Sequence, residues 1–326
     1  MSPRDLSPRH AGFAFTGGAA QVLMLTGADV ERYLDPRQLL DGLQAGFGWL
    51  ELGEVQTPPR PKLPVAERGF SLAMSAWRPG MQLTVKIVNV FEGNRALGLP
   101  SHQALITLFD PDTGAPTCVM DGASITGIRT AAAAMLSVRL LSRPESRIAT
   151  VIGAGVQGQD HLRLLPLVRD LSRVNVCSRD PEHAGRLAAG SGIARTTTDV
   201  EAAVRESDII CLTTNSRSQV IRAEWIKPGT HVTSVGYSPP GGELPRELAE
   251  KHRLFVETLD AFQPSPVGCG ELAGLDSTTG TTLGAVALGR KPGRLSPTEI
   301  TVYKAMGNAM EDMVAANLVF QRALAG

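Results

Sequence analysis

Three glycines near the centre of the chain have the spacing of a nucleotide-binding turn. In the stretch ATVIGAGVQGQDHLRLL, Gly153, Gly155 and Gly158 follow an apolar run and open a segment of helical composition. In a strand–turn–helix unit the first glycine permits the tight turn, the second lets the backbone approach a pyrophosphate, and the third allows close packing of helix on strand. The N-terminus of the helix attracts the phosphate charge. The pattern therefore predicts dinucleotide binding.

The next predicted strand, RVNVCSRD, should end at the residue that contacts the adenosine ribose. An acidic side chain is typical of NAD enzymes there, but this chain has Ser178, followed by Arg179 and Asp180. NADP differs from NAD by a 2′-phosphate on this ribose. Because a guanidinium forms charge-assisted hydrogen bonds with phosphate, Arg179 could bind that group, and the sequence favours NADP(H). The alternative is NAD(H), with Arg179 solvated and Asp180 on the ribose. The predicted cofactor-binding residues are Gly153, Ala154, Gly155, Val156, Gln157, Gly158, Ser178, Arg179, Thr130, Thr213, Thr214, Val235 and Gly236.

Three cations before the glycine turn are candidates for holding a hydride acceptor. They are Arg60 in TPPRPKLP, Lys86 in LTVKIVNV, and Arg129, which opens the helix predicted from ITGIRTAAAA. Desolvation lowers the pKa of a lysine and can make Lys86 a proton donor or acceptor. The alternative is an outward-facing lysine on a half-exposed sheet. A cation near a helix start opposes the dipole, so Arg129 either forms a carboxylate site with the helix amides or is a surface arginine.

The elements that position these residues change character near residue 122. Before it, the sequence predicts a strand at Val22–Leu25, a helix starting near Thr26, a second helix, and a mostly antiparallel sheet over 70–122. After it, the strands IATVIG, RVNVCSR, DIICLTT, HVTSVG and RLFVET mostly alternate with helical segments, which predicts a parallel, doubly wound sheet. The segment SPTEITVYKAMGNAMEDMVAANLVFQRALA predicts one long amphipathic helix, with an N-cap serine and Pro297 in its first turn.

Composition narrows the class of protein. The 326 residues suffice for two domains, and 32 acidic residues balance 32 basic ones without a basic stripe, so no nucleic-acid partner is expected. No apolar stretch reaches about 18 residues, which predicts no membrane span. The first 20 residues lack the apolar core of a signal peptide and suggest a weakly ordered lead-in. The expected compartment is the cytoplasm, with no metal site and four buried free thiols at Cys118, Cys177, Cys211 and Cys269.

Longer motifs resemble the ornithine cyclodeaminase/mu-crystallin family over about residues 22–322. They are PSHQALITLFDPDTGAPTCVMDGASITGIRTAAAA, ATVIGAGVQG and SPTEITVYKAMGNAMEDMVAA. The resemblance implies an α/β fold, in which a Rossmann-type doubly wound parallel sheet (residues 129–297) is inserted in a second α+β domain (1–128 plus 298–326) for substrate binding and dimerisation. It further implies a homodimer acting on a small imino or amino acid. Arg60 and Arg129 would hold the substrate carboxylate, and Lys86 would transfer a proton or polarise the substrate.

One loop departs from part of the family. Cyclodeaminases and alanine dehydrogenases of the family carry an aspartate in a G-x-D-x-P-G-K loop, whereas SVGYSPPGGEL has Ser238 there, as the mu-crystallin-like ketimine reductases do. A serine hydroxyl cannot act unaided as the base that amine oxidation needs. The resemblance therefore favours NAD(P)H-dependent reduction of a C=N bond next to a carboxylate, with Lys86 and Ser238 catalytic. Pyrroline-2-carboxylate or piperideine-2-carboxylate would give L-proline or L-pipecolate.

Three alternatives remain open at this point. Two are amino-acid enzymes: an ornithine or lysine cyclodeaminase, and an oxidoreductase similar to alanine dehydrogenase. The third belongs to another class, a non-catalytic NADPH-dependent protein that binds a small ligand as a crystallin does. The intact set of Arg60, Lys86 and Arg129 weighs against this last alternative.

Overall fold

The structure is a computed structural model that describes residues 22–265 and 267–326, without the side chain of Arg95. The predicted lead-in over residues 1–20 lies outside the described residues. The strands are β1 (Leu23–Leu25), β2 (Lys62–Val65), β3 (Gly69–Ala76), β4 (Leu83–Val90), β5 (His102–Phe109), β6 (Pro116–Asp121), β7 (Ile148–Ile152), β8 (Arg173–Cys177), β9 (Ala194–Thr196), β10 (Ile209–Leu212), β11 (His231–Ser234), β12 (Arg253–Val256), β13 (Gly280–Thr282) and β14 (Thr301–Lys304). The α-helices are α1 (Gly27–Tyr33), α2 (Pro36–Glu51), α3 (Gly122–Leu141), α4 (Val156–Val168), α5 (Pro181–Ala189), α6 (Val200–Glu206), α7 (Arg246–Lys251), α8 (Leu283–Ala287) and α9 (Ala309–Leu324).

The first sheet has six strands in the order β1-β6-β5-β4-β3-β2. Strands β2 to β6 are antiparallel, as predicted for this part of the chain, and β1 joins β6 in parallel. Helices α3 and α9 cover one face of this sheet. Strand β4 turns Thr84, Lys86 and Val88 toward these helices, while Ile87 on the opposite face is exposed. The alternating pattern of β4 therefore places Lys86 inside the protein.

Short polar side chains set the starts of the helices in this half. Thr26 forms a capping box with Asp29 and begins α1, which confirms the predicted start. Asp121 ends β6, and its carboxylate accepts the backbone N–H of Ser124, so α3 begins directly after the strand. Arg129 therefore lies in the third turn of α3, and the prediction that it opens the helix is wrong.

The second sheet is entirely parallel and has eight strands in the order β13-β12-β14-β11-β10-β7-β8-β9. Its central strands β10 and β11 are buried along their whole length, as both faces of a doubly wound sheet are covered by helices and loops. The chain leaves β7 toward β8 on one side and later returns to β10 on the other side. This change of direction is the switch point at which ligands bind in open α/β sheets. The predicted fold class is confirmed.

The prediction of one long helix from Ser296 is wrong. Thr301, Val302 and Tyr303, which favour extended structure, form β14 between β11 and β12. Gly307 has φ +77°, and Asn308 then caps α9 with Glu311 as its capping-box partner. The division of the chain into two domains stays a prediction. The structure adds that the return to the six-stranded sheet follows Lys304, because β14 still belongs to the parallel sheet.

The cysteines and the absence of a membrane span were both predicted from the sequence. Cys118, Cys177, Cys211 and Cys269 are buried and free, as expected from their spacing. Across residues 22–265 and 267–326, no helix is both long and apolar enough to cross a bilayer.

Candidate active site

The glycine turn has the geometry that the sequence suggested. Gly153 has φ +114°, a conformation that favours glycine, and its N–H donates to the Cys177 carbonyl at 2.8 Å. A Cβ on Gly158 would lie 2.0 Å from the Gly153 carbonyl oxygen, so only glycine permits this close packing. A Cβ on Gly155, in contrast, would meet no described atom within 4 Å. The space above Gly155, at the start of α4, fits the pyrophosphate of a dinucleotide.

The other residues predicted at the cofactor lie along the same edge of the parallel sheet. Strands β11, β10, β7 and β8 are neighbours, and their carboxyl ends lead into the loops that carry the predicted residues. Thr213 Oγ1 donates to the Ile152 carbonyl at 2.9 Å, which joins the end of β10 to the glycine turn. Thr130 lies on α3 one turn beyond Gly127, whose carbonyl accepts Gln157 Nε2 at 3.3 Å. The structure thus brings these side chains to one edge.

The loop after β8 places the two candidate ribose ligands, Arg179 and Asp180, in different surroundings. Asp180 Oδ1 accepts the backbone N–H groups of Glu182 at 3.0 Å and His183 at 3.1 Å, so this carboxylate caps α5. The hydrogen bond from the His183 backbone holds the pKa of Asp180 below its ordinary value. Arg179 is exposed and has no ion pair within the described residues. Its guanidinium is accessible to a phosphate, whereas the Asp180 carboxylate is already engaged.

A buried carboxylate that the sequence analysis did not identify connects two of these loops. Glu243 Oε2 accepts the backbone N–H of Thr214 at 2.6 Å and its hydroxyl at 2.7 Å. Glu243 Oε1 accepts the N–H of Gly236 at 2.7 Å and the hydroxyl of Ser234 at 3.0 Å. One side chain therefore fixes the ends of β10 and β11, where Thr213, Thr214, Val235 and Gly236 were predicted to face the cofactor.

A buried lysine extends this network to β14. Lys304 Nζ donates to Glu271 Oε1 at 2.9 Å, to the Gly236 carbonyl at 2.5 Å and to Ser234 Oγ at 3.2 Å. Burial by itself would lower the pKa of Lys304, but the carboxylates of Glu271 and Glu243 raise it above its ordinary value. Lys304, Glu271, Glu243 and Ser234 are called the Lys304 cluster below.

A second buried network lies between β4, α3 and α9. Lys86 Nζ donates to Asp312 Oδ1 at 2.9 Å, and Arg129 Nε donates to the same oxygen at 3.0 Å. Arg129 Nη1 donates to Glu311 Oε2 at 2.9 Å. Burial lowers the pKa of Lys86 to about 8; Asp312 opposes this shift and Arg129 adds to it. Lys86, Arg129, Glu311 and Asp312 are called the Lys86 cluster below.

These contacts decide between the alternatives left open for two of the cations. Lys86 is 1% exposed, so it is not an outward-facing lysine. Arg129 is 5% exposed and is paired with two carboxylates of α9, so it is not a surface arginine. The helix amides expected beside Arg129 are seven residues away in sequence, at the N-terminus of α3.

Arg60 lines a cavity and is not part of the Lys86 cluster. A cavity of about 350 Å³ is lined by residues that include Arg60, Met74, Glu257, Asp260, Met306 and Gly307. Arg60 donates to the carbonyls of Met306 at 3.3 Å, Gly307 at 3.2 Å and Val267 at 2.9 Å. A Cβ on Gly307 would lie 2.9 Å from Arg129 Nη1, so the 306–307 segment separates the two guanidinium groups. Met74, which pairs with Lys86 across the β3–β4 ladder, also reaches the cavity.

Ser238, predicted to be catalytic, lies outside both the Lys304 cluster and the Lys86 cluster. It is mostly buried, and its hydroxyl donates to the Asn215 carbonyl at 2.9 Å. Within the described part of the chain it has no hydrogen bond to Arg60, Lys86 or Arg129. Its loop follows β11, on the same edge of the sheet as the predicted cofactor residues.

Residues 20–326 match the ornithine cyclodeaminase/mu-crystallin family. The chain belongs to this family. It is 36% identical over 304 residues to ketimine reductase mu-crystallin of Mus musculus, with 91% of this chain and 96% of the relative covered. The structure of Thermococcus litoralis Δ1-pyrroline-2-carboxylate reductase in complex with NADH and L-proline superposes with a TM-score of 0.88, at 32% identity, covering 93% of this chain and 98% of that one. An archaeal alanine dehydrogenase dimer with bound NAD gives a TM-score of 0.85 at 32% identity, covering 93% and 96%.

Membership in the ornithine cyclodeaminase/mu-crystallin family makes the chain an NAD(P)-binding oxidoreductase of amino-acid metabolism. Sequence reasoning missed several carboxylates of the site, namely Glu243, Glu257, Glu271, Glu311 and Asp312. The adjacent Glu311 and Asp312 in the otherwise apolar run MEDMVAANLVF were a usable signal, because buried carboxylates require partners. Glu257 directly follows the strand RLFV, whose last three residues are apolar and buried, and ligands of α/β sheets bind at such carboxyl ends of strands, so that position was a second signal.

Proposed function

We propose that this member of the family reduces the C=N bond of a cyclic imino acid next to its carboxylate. The observation that carries the proposal is the Lys86 cluster, in which a buried lysine with a pKa of about 8 lies behind the wall of a cavity lined by Arg60. A positive charge there stabilises the anionic carboxylate and the electrons that move to nitrogen. The ketimine and pyrroline-2-carboxylate reductases among its relatives support the same reaction class.

The substrate carboxylate is assigned first to Arg60, which lines the cavity. Arg129 stays a predicted carboxylate ligand, but two carboxylates already bind its guanidinium. We therefore give it a further role, which is to share Asp312 with Lys86. Ser238 stays a predicted hydrogen-bond donor near the substrate nitrogen. Its hydroxyl in place of an aspartate disfavours the cyclodeaminase and alanine dehydrogenase alternatives, since it cannot accept the ammonium proton unaided.

The decisive assay follows the absorbance of NADPH with piperideine-2-carboxylate or pyrroline-2-carboxylate. We expect cofactor oxidation and formation of L-pipecolate or L-proline. Parallel samples contain L-ornithine without added cofactor, or pyruvate with ammonia, to test the two amino-acid alternatives. A folded protein that binds NADPH but turns over no imine would refute the proposal and favour the small-ligand-binding protein instead.

NADPH is the proposed cofactor, and when bound it would supply the hydride. The turn Gly153–Gly158 would hold the pyrophosphate, with Ser178 and Arg179 on the 2′-phosphate. Because Asp180 caps α5, Arg179 is the charged side chain of this loop available to the ribose end. Relatives with bound NADH or NAD keep NAD(H) as the alternative.

We expect Arg179→Ala to weaken NADPH binding at least about tenfold, because it removes one charged hydrogen bond, and to leave NADH binding unchanged. Equal affinities of the wild type for both cofactors would contradict the preference.

We also propose that the chain forms a homodimer through the outer face of the six-stranded sheet. Met24, Leu63, Ile87 and Leu105 are all more than 40% exposed on that face. Contiguous exposed apolar side chains mark protein interfaces, and the alanine dehydrogenase relative is a dimer. Light scattering on Leu105→Lys should give a smaller mass than the wild type.

The proposed compartment is the cytoplasm, which the four free thiols support.

A further inference from the structure

One row of residues crosses the six-stranded sheet from the cavity to the Lys86 cluster. Met74 on β3 lies directly opposite Lys86 on β4. On the other side of Met74, the register between β2 and β3 continues past the end of β2, because the backbone N–H of Ala73 donates to the Pro61 carbonyl at 3.4 Å. The next step of that register places Arg60 beside Met74. Arg60, Met74 and Lys86 therefore occupy neighbouring positions on three adjacent segments.

The side chain of Met74 is directed to the face of the sheet on which the cavity lies. Residues directly opposite each other on paired strands share a face, so Met74 is on the face of Lys86, which α9 covers. The start of α9, at Asn308 and Ala309, lines the cavity, which therefore lies on that same face. Met74 lines the cavity as well and is only 6% exposed. Its side chain thus forms the part of the cavity wall that the sheet contributes beside Arg60.

Met74 places a neutral, apolar surface between two cations. Neighbouring strands are about 4.8 Å apart, so the backbones at Arg60 and Lys86 are separated by about 10 Å, with Met74 between them. A thioether is flexible and polarisable, donates no hydrogen bond and accepts one only weakly. An ammonium or hydroxyl substituent of a ligand would lose its water on this surface without gaining a partner. Hydrocarbon is therefore the chemistry that the Met74 surface accepts.

We propose that Met74 is a specificity-determining residue of the cavity, which selects cyclic imino acids whose ring carbons rest on it as plain hydrocarbon. This inference rests on the proposed function and narrows its substrate class. The carboxylate would bind Arg60, and the methylene groups of the ring would pack on the adjacent thioether. This contact is the same in the bound substrate and in the transition state, so it should lower KM and leave kcat nearly unchanged.

The test is the ratio of kcat/KM for piperideine-2-carboxylate to that for pyrroline-2-carboxylate, whose ring is smaller by one methylene. Met74→Gln replaces the apolar surface by an amide of similar length, so we expect this ratio to fall about fourfold, the contribution of one buried methylene, through KM. Met74→Leu stays apolar with a similar volume and should keep the ratio within about twofold. The matched control is Leu72→Gln, on the same face of β3 but outside the cavity lining, which should lower stability and keep the ratio.

The outcomes separate this inference from the proposed function. If the wild type reduces both imines and Met74→Gln keeps the wild-type ratio, the inference fails and the proposed function stands. If the wild type reduces neither imine, the proposed function fails, and the inference fails with it. An equal change of the ratio in Leu72→Gln also overturns the inference, because a general loss of packing would then explain it. If Met74→Gln does not fold, Met74→Ala decides, since it removes the same contact without burying an amide: a lower ratio supports the inference and an unchanged ratio overturns it.

Discussion

Two buried lysines of this protein each bind a carboxylate at the same distance, yet their pKa values are shifted in opposite directions. Lys86 and Lys304 are each within 2.9 Å of one carboxylate oxygen, and neither is more than 1% exposed. The pKa of Lys86 is lowered to about 8, whereas that of Lys304 is raised. Burial lowers the pKa of both lysines, so the difference comes from their other neighbours.

The other neighbours differ in sign. Lys86 shares Asp312 Oδ1 with the guanidinium of Arg129, so the one carboxylate that it contacts among the described residues is divided between two cations. Lys304 is surrounded by acceptors, which are Glu271, the Gly236 carbonyl and Ser234, with Glu243 behind them. A buried ammonium surrounded by acceptors is a permanent structural charge, while one that shares its anion can titrate near neutral pH. In the proposed function, the first fixes the edge of the sheet where the cofactor would bind, and the second supplies charge to the cavity.

The largest effect is expected for Lys304→Met. The substitution leaves Glu271 as a buried, uncompensated charge, so the free energy of unfolding should fall by about 3–5 kcal/mol. Urea denaturation followed by circular dichroism measures it. Lys251→Met removes an exposed i,i+4 pair with Glu247 and should leave the midpoint unchanged. A loss below about 1 kcal/mol for Lys304→Met would show that the Lys304 cluster is not the structural centre inferred from its contacts.

Lys86→Met should have the reverse profile, with a large loss of activity and little loss of stability. Asp312 and Glu311 both keep Arg129 as a partner, so each buried anion of the Lys86 cluster retains a contact with a cation. We expect kcat/KM for a cyclic imine to fall about 100-fold, the typical effect of removing one electrostatic donor from an active site. Lys62→Met, an exposed change in the same sheet, is the control. If Lys86→Met retains wild-type kcat/KM, the distinction between a titrating and a structural lysine has no functional meaning.

The two lysines should also differ in how stability depends on pH. The pKa of Lys86 is about 8 in the folded protein and 10.5 ordinarily, so between these values the unfolded chain binds more protons and stability rises with pH. Across about pH 8 to 10 the contribution is about 2 kcal/mol. It should be absent in Lys86→Met. Lys304 stabilises the fold fully below about pH 10.5 and loses this effect as the pH rises from there through its raised pKa, so it adds no slope between about pH 8 and pH 10.

The measurement is the difference in unfolding free energy between wild type and Lys86→Met at several pH values. The difference is needed because the buried thiols, whose pKa values are raised by desolvation, lower stability above about pH 9 in both proteins. A difference that stays constant from pH 8 to pH 10 would mean that Lys86 does not titrate in this range.

The parts of this fold that local patterns determine were predictable. Alternating side chains in β4 and the strand–glycine–helix unit at Gly153 depend on neighbours in sequence, and both were confirmed as structure. The failure at Thr301–Lys304 has a physical cause, because four buried residues fit an apolar helix as well as a central strand. The choice was made by β11 and β12, which pair with them from far away in sequence.

The candidate site was predictable in its cations and not in its anions. The family resemblance assigned roles to Arg60, Lys86 and Arg129, whereas it assigned none to Asp312, which lies in a resembling motif but is 226 residues from its partner Lys86. No periodicity reports a contact of that separation. The charge balance of the cluster, and therefore the pKa of Lys86, became apparent only when α9 was placed on the six-stranded sheet.

The smallest effect is expected for Asp312→Asn, which tests whether the shared carboxylate controls Lys86. Asp312 raises the pKa of Lys86 against desolvation and Arg129, so its loss should lower that pKa further and reduce the ammonium fraction near pH 8. We expect the alkaline decline of kcat/KM to begin about one pH unit earlier, with activity near pH 8 about fivefold lower. Asp208→Asn is the matched control, because Asp208 also bridges a lysine and an arginine, Lys227 and Arg143. Asp208→Asn should lower the free energy of unfolding without shifting the pH dependence of kcat/KM. If the two variants give the same pH profile as the wild type, Asp312 serves the packing of α9 and does not tune Lys86.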